Sequence, residues 1–324
     1  MLVAIVALAI ALPFIFNDDY IRYLLNLFVI YAIFALSLDI IMGYMGQYSF
    51  GHQVALGLGA YTVGFLSVTW KLSPSPWLSL LAGVAVAALF GFIIGYVALR
   101  ASRGVYLAII TFGIGVIMTT VMYTAYKTTG GSRGIALIPP LSIGGVTFNT
   151  DVTSYLLELF FLGLTIYLIH RWLHSRFGRA VVAIRENEDL AKSTGINSYK
   201  YYVMAFTLAS ALAGLSGSLF ALYMRAITPA LFGTDYMLMA LIMVVVGGTR
   251  SLGGPILGSA IYVFGLRLIP YAKETVLVIF GAIVLFCILF LQRGVYPWLE
   301  TILTRVTEWR RPGEASGGQA SEQT

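Results

Sequence analysis

A single cysteine, three histidines and only 10% charged residues leave little from which to build soluble chemistry. Cys287 stands inside an apolar run, so there is no disulfide framework and no CxxC or Cys/His metal spacing; it reads as inert packing. Of the histidines His52, His170 and His174, the last two lie four apart on one helical face. No Glu or Cys completes a HExxH or zinc-ribbon pattern around them, so no metal site is expected. No GxxxxGK[ST] phosphate loop occurs, and Gly57-Leu-Gly59 and Gly113-Ile-Gly115 lack the third glycine of a dinucleotide turn. The chain is therefore expected to bind no ATP and no cofactor of its own. A membrane enzyme is disfavoured because no nucleophile-base pair or acid cluster stands at a reacting spacing.

What the chain does have is apolar length. With 59% hydrophobic residues and a mean hydropathy of +0.88, its 324 residues belong to the all-α, polytopic membrane class rather than to one or two soluble domains. The formal charge of +6 is dispersed between apolar spans, which fits membrane orientation and not a nucleic-acid surface. Candidate spans fall at about 1–16, 21–42, 54–70, 77–99, 104–126, 155–173, 201–224, 235–249, 255–270 and 275–293. Residues 1–16 resemble a signal peptide only superficially. No basic stretch precedes them, and Asn17-Asp18-Asp19 stands where a small-residue cleavage site belongs, so they are read as the first span.

Ten spans put both termini on one side. The alternate connections on that side, with the termini, hold thirteen Lys and Arg residues, against seven on the other, so the thirteen-residue side is expected to be cytoplasmic. Residues 1–312 then form the transmembrane domain. Residues 313–324, small and polar, are expected to be a disordered tail. The external connection from Lys127 to Ser154, punctuated by Gly130-Gly131 and Pro139-Pro140, is expected to fold back over the outer mouth.

Two segments break the pattern. Between Asp39 and Lys71 there is no Lys or Arg, so the stretch Gly43 to His52 has no positive anchor and could sit within the bilayer, lining a cavity or buried by protein. From Gly233 to Gly258, a short span opening at Asp235 runs into Gly247-Gly248 and Gly253-Gly254-Pro255. Short, glycine-interrupted segments of this kind point to a substrate path. The polar groups proposed for it are Gln47, Ser49 and His52 in the first break, with Thr129, Gly130 and Gly131 at the outer end of a span; a turn or a cap is the competing role for each. Asp39 and Glu158, acids near or within spans, are further suspects that interfacial water could equally explain. Small residues recur every four positions at Ala209, Ala213, Gly217 and Ala221, and as the pairs Gly91/Gly95 and Gly254/Gly258, which predicts close helix packing within the subunit.

One long charged island interrupts the apolar chain, from Arg171 to Lys200. It contains Arg185, Glu186, Glu188, Asp189, Ala191 and Lys192 and closes on Gly195, a natural helix terminator, which suggests a short solvated helix. A plain charged loop is the alternative.

Taken together, Gly104-Val-Tyr106-Leu107-Ala108-Ile109, Thr129-Gly130-Gly131, Gly178-Arg179-Ala180, Ala183-Ile184-Arg185-Glu186, Gly195-Ile196 and Ser210-Ala211 with Ala213-Gly214 resemble the LivM-type permease subunits of branched-chain amino-acid ABC importers. The likeness runs from about Gly43 to Arg293. Asp189-Leu190-Ala191 through Gly195 is similar to the EAA-type loop of such permeases, with Asp for Glu and Leu for Ala at the first two positions. The resemblance implies an inner-membrane subunit in which Arg185, Glu186, Glu188, Asp189, Ala191 and Gly195, within a loop of about 174–200, couple to ATPases. It further implies a LivH-type permease partner, two cytoplasmic ATPases, a periplasmic binding protein and a cargo of branched-chain amino acids, amides, urea or aromatic acids. An ion-coupled secondary transporter, with Asp39 as a coupling acid, is the rival reading.

Overall fold

The most deeply buried of the long helices is α2 (Asp19–Asp39), which is continued by a π-helical turn, Ile40–Tyr44. Asp18 caps its start by accepting from the Tyr20 amide at 2.9 Å, and beyond it the run from Leu24 to Ile41 carries only three polar side chains, Asn26, Ser37 and Asp39. The computed structural model describes residues 2–72, 75–101, 104–143, 146–267 and 294–296. The predicted span at 275–293 and the predicted tail at 313–324 lie outside these residues.

The other helices are α1 (Leu2–Ile15), α3 (Gln53–Gly64, extended by a π turn, Phe65–Thr69), α4 (Pro76–Ala101), α5 (Val105–Thr124), α6 (Tyr126–Thr129) and α7 (Asp151–Leu173). They are followed by α8 (Arg176–Glu186), α9 (Glu188–Ser193), α10 (Ser198–Met224), α11 (Thr234–Gly247) and α12 (Gly253–Arg267). Five of the described helical segments, those containing α2, α4, α5, α7 and α10, are long and apolar enough to cross a bilayer. α1, at fourteen residues, rises only about 21 Å and falls short of the roughly 30 Å hydrocarbon core. The chain is thus all-α and polytopic, with a few two-residue strands.

Small residues set the packing. α10 lies against α3 and α4, and a Cβ placed on Gly217 would come within 1.8 Å of the Leu56 carbonyl oxygen. A Cβ on Gly214 would lie 2.3 Å from Ala87 Cβ, and one on Gly91 2.3 Å from Ser210 Cβ, so the predicted small-residue stripes meet at close approach inside the subunit. α11 and α12 form a similar pair, with Gly258 facing the Met243 carbonyl.

Two ends can be told apart by their partners. At one end the segment after α6 lies across the start of the bundle: β1 (Ile135–Ala136) pairs antiparallel with β4 (Ala226–Ile227), β2 (Ser142–Ile143) pairs with β3 (Val146–Thr147), and Trp77 donates to the Ser142 carbonyl at 2.9 Å. The connection from Lys127 to Ser154 is in this way folded back on the bundle. At the other end gather Arg100, Arg176, Arg179, Arg185, Lys192 and Arg250, the arginine-rich end.

Candidate functional site

α5 is the spine of the candidate site, because the first broken segment and the turn that leads into the second are strung along it. Gly104, just before α5, donates its amide to Gln47 Oε1 at 2.7 Å. Thr111, about 9 Å from the start of α5 by helical rise, accepts from the Phe50 amide at 3.0 Å, and a Cβ on Gly51 would strike its carbonyl. Gly115, about 15 Å along, lies under the Gln53 amide group. Thr119, at about 21 Å, donates to the Phe232 carbonyl at 2.8 Å.

The first break therefore enters from the arginine-rich end and the second, through the 3-10 turn Pro229–Phe232, from the other. They meet at mid-depth, where Gln53 Nε2 reaches the Phe232 carbonyl at 3.4 Å. There α3 begins and runs one way, while α11 begins and runs the other. α11 starts on Gly233, which has no side chain to cap it, and of its first amides that of Tyr236 bonds back to the Gly233 carbonyl at 3.2 Å.

Much of the irregular backbone of the first break is buried by protein. Met45, Ser49 and His52 are buried, and the Met45 and Gln47 amides bond back to Ile40 and Ile41. His52 Nε2 sits 2.8 Å from Ser37 Oγ, and its ring stacks on Phe34 with centroids 5.7 Å apart. Its Nδ1, the Ser49 hydroxyl and the Gln53 Oε1 meet no hydrogen-bond partner among the described residues. Ser49 and His52 line a small recess with Thr111 and Ser210, walled by Phe90, Ile94 and Phe206.

Thr129, Gly130 and Gly131 lie apart from these residues, past the far end of α5. Thr129 Oγ1 donates to the Met122 carbonyl at 2.7 Å and accepts from the Gly131 amide at 3.2 Å, while Gly130 takes a left-handed conformation that ends α6. Both clusters nevertheless touch α5. Sequence reasoning missed Gln53, Thr111, Thr119 and Phe232. A lone glutamine opening an apolar run was the available signal for the first; the other three are ordinary residues in apolar company.

The charged island folds as two helices joined at one residue. Ser175 caps α8 through the Gly178 amide at 3.3 Å, and Asn187, extended, caps α9 through the Leu190 amide at 3.0 Å. Ala191 is buried, whereas Asp189 and Leu190 project outward, with the Asp189 side chain 97% exposed. Lys192 steadies the short helix through Glu188 at 3.0 Å. Gly195 ends it at φ +84°, and a Cβ there would meet open space, so conformation and not crowding calls for glycine. Arg185 donates to the Gly43 carbonyl, and Glu186 pairs with Arg250 at 2.7 Å. Partial burial, then the neighbouring Arg250 charge, lowers the Arg185 pKa below the usual guanidinium value. No set of three metal-ligating side chains occurs among the described residues.

A family model described as "Branched-chain amino acid transport system / permease component" matches residues 20–289. The permease protein LivM of Escherichia coli K12 is 29% identical over 98% of this chain and 78% of its own length. LivH of the same organism is 28% identical over 71% and 79%, and BraD of Pseudomonas aeruginosa 29% over 70% and 78%. All three carry names of high-affinity branched-chain amino acid transport permeases. No solved structure gives a significant match.

Proposed function

Because the chain belongs to the branched-chain amino-acid ABC transporter permease family, a multi-pass inner-membrane transport component and not an enzyme, we propose that it is the LivM-type subunit of its importer. In this reading it pairs with a LivH-type permease, two cytoplasmic ATPases and a periplasmic binding protein, and passes branched-chain amino acids or a related amide, urea or aromatic acid. The arginine-rich end faces the cytoplasm by the excess of basic residues there, with about ten spans and both termini inside.

The observation that carries the coupling role is the shape of α9: a short capped helix whose apolar Leu190 and acidic Asp189 face outward while Ala191 anchors it. An exposed leucine beside an acid at the tip of a solvated knob suits insertion into a groove on another protein. Arg185, Glu186, Glu188 and Gly195 support that knob from behind. The solute path runs beside α5, past Gln47, Ser49 and His52, then the uncapped start of α11, toward Thr129, Gly130 and Gly131. Amides at a helix start inside the bilayer favour an anionic group, such as a solute carboxylate.

The test is uptake by the reconstituted transporter carrying Asp189→Arg or Gly195→Val. Uptake is expected to fall at least about tenfold, the equivalent of roughly 1.4 kcal/mol of lost coupling, while membrane insertion is unchanged. Undiminished uptake by both variants overturns the coupling role. Solute uptake by this chain alone, without ATPases, would instead favour an ion-coupled transporter.

A further inference from the structure

Three segments distant in sequence converge at the arginine-rich end, and two arginines join them. Arg250 lies in the turn between α11 and α12, with a left-handed backbone at φ +65° that is costly for a residue bearing a Cβ. In that conformation its amide donates to Asp39 Oδ1 at 3.2 Å, at the end of α2. Its guanidinium donates to Glu186 Oε1 at 2.7 Å, at the end of α8. Arg185 then runs the opposite way, from α8 to the Gly43 carbonyl in the π turn that continues α2.

The fit is built, not incidental. Asp39 is 1% exposed, and a Cβ on Gly43 would lie 2.0 Å from its Oδ1 and 2.9 Å from the Arg250 amide, so only glycine lets that bond form. Similarly, a Cβ on Gly46 would lie 2.7 Å from Arg185 Cγ, so the Arg185 stem lies across the backbone of the first break.

We propose that Arg250 and Arg185 form a two-way clamp that passes movement of the α8–α9 knob to the buried α2 and to the α11–α12 turn, making them positioning residues for coupled transport. The proposal rests on the importer reading above. The chain itself carries the knob only into α7 and α10, its covalent neighbours. α11 begins at the mid-depth crossing and ends at this clamp, and α2 carries Ser37, the partner of His52. A push delivered here therefore reaches both broken segments at once, through contacts with two discrete arrangements, made or broken.

The decisive variant is Arg250→Gly. Glycine suits the left-handed backbone and keeps the amide that Asp39 needs, so the turn is retained and only the guanidinium is lost. The Arg250–Glu186 pair is about half exposed, and such pairs contribute little to stability, so folding should be untouched. The full transporter in proteoliposomes is assayed for solute moved per ATP hydrolysed. Arg250→Gly should lower that ratio at least fivefold while hydrolysis continues, and the exchange of Glu186→Arg with Arg250→Glu should restore it to within twofold of wild type. An unchanged ratio in Arg250→Gly overturns the clamp, as does an exchanged pair no better than its single variants. Should the wild-type complex itself import without hydrolysis, the importer reading fails, and the clamp with it.

Discussion

α5 and α10 are both long, apolar and able to cross a bilayer, yet the fold treats them in opposite ways. α10 is buried along most of its length through small residues, with Gly214, Gly217 and Ser218 set against the backbone of α3 and α4. α5 turns large side chains outward, among them Tyr106, Ile109, Phe112 and Ile117, and is held by polar tethers at Gly104, Thr111 and Thr119. Backbone-to-backbone packing leaves no slack, because any displacement costs many contacts together. A helix held by a few hydrogen bonds can part from its neighbours at modest cost. The contrast separates a fixed frame from a loosely tethered helix, the one along which the solute path is proposed.

Breaking the frame should have the largest effect. Gly217→Leu forces a side chain into the Leu56 carbonyl and should destabilise the subunit by about 3 kcal/mol or more, seen as loss of the monodisperse peak and of the thermal transition in detergent. A retained peak and transition would show that α10 is not locked against α3. A smaller effect is expected from Thr119→Val, which keeps the shape but deletes the donor to Phe232. It should cost about 0.5–1.5 kcal/mol in the thermal transition while lowering uptake, since it loosens the mid-depth crossing. Smallest of all is Phe112→Ala on the exposed face of α5. The thermal stability of the lone subunit should stay within about 0.5 kcal/mol of wild type, and a larger loss would place that face inside the subunit.

Much of this frame was legible in the sequence, because helices in lipid announce themselves by apolar length and small-residue spacing. The predicted spans at 155–173, 201–224 and 235–249 correspond to α7, α10 and α11 with ends shifted by a few residues. The stretch from Gly43 to His52 showed itself through its missing positive charge; after the π turn, residues 45–52 are non-helical, with Met45, Ser49 and His52 buried and Tyr48 half-exposed. α9 and its terminating Gly195 followed from polar composition and one glycine. The site was less legible, since its contacts join residues far apart in the chain. Nothing near Asp39 announces Arg250, 211 positions away, and nothing near Gln53 announces Phe232. The left-handed backbone of Arg250 was hidden too, because an arginine in a Gly-rich turn gives no local sign that it takes a positive angle alongside Gly248. Asp39, the coupling acid of the rival reading, accepts the Arg250 amide on Oδ1, a contact that no spacing in the sequence predicts.

Asn187 is the only residue between α8 and α9, and it serves as the end of one and the cap of the other. Such a joint fixes the rotational phase of Asp189 relative to Arg185. One extra residue there would swing the tip by about 100° around the helix axis, and one fewer would fuse the two helices into a single rod. The length of this elbow, more than its chemistry, therefore sets where the tip of α9 points.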